Sequence, residues 1–287
     1  MDWKLEPPRI QTELPSEPYD RWVSPGGFAQ AEFHRQDQGF LIRFPGQADF
    51  ELKQHDQSQT YLVTGWPTPE CDQSTMANLH HNAIQPILGN HSGGLFLHGS
   101  AVRITDDTGA IAILGLSRGG KTTLAGAFAK AGNPFLTEDV IDLRLRAADY
   151  WLQPKRSTLR LFADSARFLL GKASPLSGQD PSEIDQKKDV EANGLLPFAK
   201  QEAPLKQIFI LGTDHSAPLS IRSLSMQEAL GNLLPHAFIL DVEDKPRLQG
   251  HFARLADLSQ DVPCFALDFT RDYSELPNVV SAVIQNR

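Results

Sequence analysis

Residues 110–132 read AIAILGLSRGGKTTLAGAFAKAG, and no other stretch limits the fold as strongly. Five apolar residues suit a buried strand, a glycine-rich loop follows, and LAGAFAKA has the composition of a helix that stops at Gly132 with Pro134 behind it. Gly115, Gly120, Lys121 and Thr122 satisfy G-x-x-x-x-G-K-[ST] in the strand, loop, helix setting that the pattern requires. Loop amides at a helix N-terminus attract anions, because unpaired N–H groups and the helix dipole both present positive charge there. The expected ligand is the phosphate chain of ATP, surrounded by Gly115, Arg118, Gly119, Gly120, Lys121, Thr122 and Thr123. Lys121 would reach the β- and γ-phosphates, and the Thr122 hydroxyl would take Mg²⁺. A plain glycine turn capping a helix is the bland alternative, and the flanking strand and helix weigh against it.

Downstream, FLTEDV puts Glu138 and Asp139 at the end of a short strand, 17 and 18 residues after Lys121. In an α/β layer the carboxyl end of that strand faces the same crevice as the loop. Two adjacent carboxylates there suit two tasks, completing an Mg²⁺ shell and accepting the proton of an attacking hydroxyl. The residue pattern leaves open which does which. Without the upstream loop, an acidic turn in solvent is the better reading. On the other side, GGLFLHGSAVRI, the turn DDTG and AIAILG read as two strands joined by a hairpin, which brings His98 near the loop. A lone histidine at a strand end is more often structural than catalytic.

The chain has 287 residues, 40% hydrophobic, enough for a sizeable core, and its net charge of −8 argues against sequence-independent nucleic-acid binding, which needs many Lys and Arg against phosphates. No run approaches the roughly 18 consecutive apolar residues of a membrane span. MDWKLEPPRI lacks the basic and apolar regions of an export signal, so the cytosol is the expected compartment, with no membrane partner. Cys71 and Cys264 match no metal spacing and read as reduced thiols. Prolines and charges in the first fourteen residues predict a flexible or surface-laid lead-in. AQAEFHR, GFLIRFP, DFELKQ and TYLVTG predict short strands, hence a small β-rich N-terminal region over 1–92 ahead of a nucleotide-binding domain over 93–287. In MANLHHNAIQPILG the spacing is helical, and Pro86 should kink or end the helix. His80 and His81, with no third ligand in view, read as one packed and one surface histidine.

Beyond the acidic pair, Arg160 in LRLF reads equally as a phosphate or substrate contact and as an edge-strand arginine. Residues 174–194 form a long polar loop carrying Lys187 and Lys188; Lys188 is a candidate contact to the γ-phosphate or substrate, against a simpler reading of two solvated lysines. Periodicity predicts a buried strand over 204–212 and helices over 225–234 and 252–258.

The succession LHGSAV, GLSRGGKTTL and AKAGNPFLTEDV resembles the HPr kinase/phosphorylase family and its shorter relatives, and the broader fold which that family shares with ATP-dependent phosphoenolpyruvate carboxykinase. RSTLRLFADS, APLKQIFILG, SMQEALGNLL and VPCFALDF extend the likeness over residues 94–283, weakening after Gly171. The resemblance implies an α/β fold: a phosphoenolpyruvate carboxykinase/HPr kinase-like P-loop core of mixed β-sheet flanked by helices, beside the small β-rich N-terminal portion. It implies that His98 assists the acidic pair, that Glu138 is the base for a serine hydroxyl, and that Asp139 lies with the metal and phosphates. Three features depart from the family. Glu138 stands where Asp is usual, Arg118 and Gly119 replace the common Ser and Gly or Ala, and the second signature associated with phosphorolysis has no counterpart. The resulting expectation is an ATP- and Mg²⁺-dependent kinase without phosphorylase activity, acting on a serine of a small protein or precursor peptide delivered by a small peptide-binding chaperone. A homo-oligomer is compatible with this. A kinase of small molecules such as free serine, and a nucleotide-gated binding protein without transfer activity, are the alternatives.

Overall fold

The computed structural model describes residues 3–24, 26–54, 60–105, 109–171, 187–191 and 195–286. The turn residues 106–108 and most of the predicted polar loop, 174–186 and 192–194, lie outside the described residues. Two compact units emerge: Met1–Gly94 with Phe238–Leu248, and Leu95–Ala237 with Gln249–Arg287.

The first unit is a six-stranded sheet made of β1 (Trp3–Leu5), β2 (Asp20–Val23), β3 (Ala29–Gln36), β4 (Gly39–Phe44), β5 (Ala48–Gln54) and β6 (Tyr61–Pro67), in the order β1-β6-β5-β4-β3-β2. The start of the predicted lead-in is part of this sheet. Trp3 to Leu5 pair in parallel with Val63 to Gly65, and Arg9 and Gln11 hydrogen-bond the buried Asp49. A three-residue strand is too short to show an alternation, which is why the sequence did not announce it. After the sheet, α1 (Gln73–Leu79) and α2 (Gln85–His91) are joined by a π-helical turn at His80–Ile84. The Gln85 amide donates to the His80 carbonyl five residues back. This widened turn precedes Pro86, whose ring would otherwise meet the carbonyl four residues before it, so the helix neither stops nor breaks there. His80 is the packed histidine, stacked 4.6 Å from Trp3; His81 is half-buried.

The second unit has mixed α/β architecture around a nine-stranded sheet that branches at its longest strand. β9 (Ala110–Leu114), β15 (Ala203–Leu211) and β17 (Cys264–Asp268) run parallel, flanked on one side by β8 (Ser100–Arg103) and β10 (Phe135–Thr137) and on the other by β16 (Ser220–Ser223). Where β15 begins, it pairs instead with β12 (Asp149–Leu152), from which β11 (Val140–Arg146) and β7 (Leu95–His98) continue. A separate ribbon joins β13 (Thr158–Leu161) to β14 (Lys188–Glu191). β9 is buried on both faces, as a central parallel strand must be. Ile111 and Ile113 pack with α3 (Lys121–Lys130), α4 (Ala163–Leu170) and α7 (Leu276–Gln285), whereas Ala110, Ala112 and Leu114 join the core of α5 (Met226–Leu233) and α6 (Lys245–Asp261). Ser225 caps α5 through a reciprocal pair with Glu228. The helix expected over 252–258 is longer, because the polar residues 245–251 hide its first turns and the Asp244 side chain accepts from the Arg247 amide at its start.

One prediction needs correction. Residues 95–103 are two strands in different ladders, broken at Gly99. A β-carbon at Gly99 would lie 2.5 Å from Leu114 Cδ2, 2.7 Å from Ile141 Cδ1 and 2.8 Å from the Ile113 carbonyl oxygen. Only glycine lets three strands approach so closely. Gly99→Ala should therefore cost about 1–3 kcal/mol through overpacking, read as a lower urea midpoint at unchanged slope. An unchanged midpoint would show that the crossing has slack.

Candidate active site

β10, β9, β15 and β17 end along one edge of the sheet, and the antiparallel β8 begins there. Everything carried by these ends converges. From β9 the chain enters the glycine-rich loop, and Gly120, at φ +94°, turns it into α3 in a conformation that suits glycine. Lys121 is buried, and its ammonium donates to the carbonyls of Gly115 (2.9 Å) and Leu116 (3.0 Å). Thr122 Oγ1 donates to Glu138 Oε1 at 2.8 Å, and Thr123 Oγ1 lies 3.1 Å from Ser165 Oγ.

The acidic pair sits in a strained turn. Asp139 has φ +65°, and the Val140 amide donates back to the Glu138 carbonyl at 2.8 Å, closing a three-residue turn of a rare and strained kind. Gly99 donates to the Asp139 carbonyl at 3.1 Å. His98 pairs with Val140 across β7 and β11 and is half-buried. Arg160, opposite Asp189 in the ribbon, holds its guanidinium 3.5 Å from Asp189 Oδ1 and 4.0 Å from Asp139 Oδ2.

A cavity of about 210 Å³ opens on this edge. Arg118, Gly119, Gly120, Lys121, Thr122 and Thr123 line it, as does Arg160. Lys187 lines it as well, whereas Lys188 does not: Lys188 pairs with Leu161 in the ribbon. The cavity also meets Arg271, which sequence reasoning passed over. Arg271 donates to the carbonyls of Gly119 (3.2 Å), Phe269 (2.7 Å) and Gly212 (2.9 Å), so one guanidinium ties the loop to the ends of β15 and β17. The signal was present, since DFTRDY follows the carboxyl end of a parallel strand, the same logic that marked Glu138. His236 carried no such signal. An antiparallel bridge between Leu97 and Ala237 sets it across from His98, and it is buried.

Burial drives Lys121, His98, His236 and Glu138 toward their neutral forms. It depresses the Lys121 ammonium to about 8, against a smaller opposing pull from Asp139. It lowers His98, with Lys121 adding to the effect, and takes His236 to about 4. It raises Glu138 well above its ordinary 4.5, reinforced by the neighbouring Asp139. Among the described residues no three His, Cys, Asp or Glu side chains gather as a metal cage. The Thr122 hydroxyl and Glu138 carboxylate are hard oxygen donors at one point, which fits Mg²⁺, an ion held by one or two protein oxygens together with phosphates.

Because Glu138 binds its proton more tightly in the folded chain than in the unfolded one, its ionisation removes stability as pH rises from its ordinary range toward its raised folded value. Glu138→Gln mimics the neutral acid. Its melting temperature should match that of wild type near pH 4 and exceed it at pH 8, by scanning calorimetry without nucleotide; a constant difference across pH would overturn the buried-acid assignment.

No family model matches the sequence, and no curated protein matches it. Among solved structures, the chain is similar to the HPr(Ser) kinase/phosphatase from Coxiella burnetii, with 12% sequence identity and a TM-score of 0.39 over 67% of this chain and 95% of that one. No helix among the described residues is long and apolar enough to cross a membrane.

Proposed function

We propose that this protein is an ATP- and Mg²⁺-dependent phosphotransferase that acts on a serine hydroxyl of a small protein or precursor peptide. The observation that carries the reading is the convergence of Lys121, Thr122, Glu138, Asp139 and His98 on one sheet edge around a glycine-rich loop at a helix N-terminus. Loop amides and Lys121 bind and orient the phosphates, and Arg118, Arg160 and Lys187 add positive charge around the cavity. Mg²⁺, when bound, would neutralise charge on the phosphate oxygens. Peptide delivery by a small chaperone and action in the cytosol belong to the same proposal.

The resemblance gives proton acceptance to Glu138 and the metal to Asp139. The 2.8 Å hydrogen bond from Thr122 supports the opposite division, because the hydroxyl that serves the metal and the carboxylate that serves it must lie together. Asp139, which faces Lys121 and Arg160, is then the acceptor of the serine proton, with His98 beside it.

Lys121→Ala should raise the ATP dissociation constant at least about ten-fold, the loss of one charged hydrogen-bonding partner. Unchanged ATP affinity in the folded variant rules out the phosphate-loop reading. The two carboxylates separate by a second measurement. Asp139→Asn should keep Mg²⁺-dependent ATP binding and lose transfer by about 10²- to 10⁴-fold, whereas Glu138→Gln should lose the metal dependence of binding itself. The reverse pattern, measured with γ-labelled ATP and candidate peptides, restores the roles that the resemblance implies.

A further inference from the structure

We propose that the cavity beyond the glycine-rich loop contains a nucleobase subsite, with Tyr273 and the Arg271 guanidinium as stacking surfaces and Asp272 as an acceptor for a ribose. This deepens the nucleotide reading above and rests on it. The cavity's volume is more than ten times what one water needs on the same measure, and its lining has two chemical characters. Lys121, Thr122 and the loop supply cations and N–H groups, the partners of phosphate. Phe162, Phe269, Tyr273 and Leu276 supply flat or apolar surface, for which a phosphate chain has no use.

Those surfaces are built to hold position. Phe168 backs the Tyr273 ring at 4.9 Å and 24°, and the Tyr273 hydroxyl lies 3.0 Å from Ser165 Oγ. Ser165 is buried and in turn meets Thr123 Oγ1 at 3.1 Å, so a chain of hydroxyls fixes the aromatic wall relative to the loop helix. The Arg271 guanidinium lies 3.8 Å over the Phe269 ring, and its three carbonyl partners prevent it from swinging away. A planar cation and an aromatic ring, both immobilised, are the surfaces on which bases stack. Asp164 Oδ1 accepts from the Ser165 amide, and Asp272 Oδ1 accepts from the Ser274 amide and hydroxyl. Asp164 also accepts from the Tyr273 hydroxyl and so helps to hold the ring, whereas the second oxygen of Asp272 can take a sugar hydroxyl, the partner an acidic side chain takes in dinucleotide sites.

The test is calorimetric titration of the full chain with ATP and with tripolyphosphate, both in the presence of Mg²⁺. Wild type should bind ATP more tightly by roughly 5- to 150-fold, the range that stacking one base supplies. Tyr273→Ala should remove most of that advantage and leave the tripolyphosphate affinity within two-fold, while Tyr273→Phe keeps it. Equal affinity of wild type for the two ligands overturns the subsite and leaves the phosphate loop standing. So does a Tyr273→Ala variant that weakens both ligands equally, which marks a structural role. Failure of wild type to bind either ligand overturns the phosphate-loop reading, and the subsite with it. Should Tyr273→Ala not fold, the wild-type comparison decides by itself.

Discussion

A crossing with no room for a side chain governs how the site is assembled. At Gly99 the backbone leaves one ladder and enters another while Leu114, Ile141 and the Ile113 carbonyl crowd around it. The same residue donates to the carbonyl of Asp139, so the strand that delivers His98 and the turn that delivers the two carboxylates share one backbone hydrogen bond. The parallel run of β9, β15 and β17 brings the loop and Arg271 to the same edge. Side-chain chemistry at the site is thereby referred back to main-chain geometry, which tolerates much less drift than loops held only by their own side chains.

Electrostatics follows from that packing. Lys121, Glu138, His98 and His236 are each shifted toward neutrality by burial, and the Asp139 carboxylate stands among them. Such an arrangement stabilises the fold poorly by itself, because buried charges without full compensation cost free energy. It is well suited to a multiply charged ligand. The proposed metal–polyphosphate ligand would bring both signs to these groups at once.

Much of this was legible in the residues, and the rest was hidden for identifiable reasons. The strand, loop and helix of 110–132 appear as written, since apolar run, glycine spacing and stop chemistry all point to one answer. The short strand before Glu138 and the capped helix at Ser225 were equally visible. The break at Gly99 was not, because a continuous apolar alternation does not reveal which ladder each half joins. Trp3–Leu5 escaped notice because three residues carry no period, and the π-turn before Pro86 because a proline usually signals an end. Arg271 and His236 belong to the site only through long-range pairing, information that local spacing does not contain.

Lys121 has one more consequence. Its ammonium is satisfied by two carbonyls of the loop it belongs to, and any anion that recruits it must outcompete them. A single orthophosphate or sulfate would offer fewer simultaneous contacts than a phosphate chain. The triphosphate of the proposed function would reach the loop amides, the lysine and the Thr122 hydroxyl together, and that combined gain is what has to exceed the loss of the two carbonyl contacts. Under the proposed function, the loop's own backbone would then set a threshold that favours a long phosphate chain over simple anions.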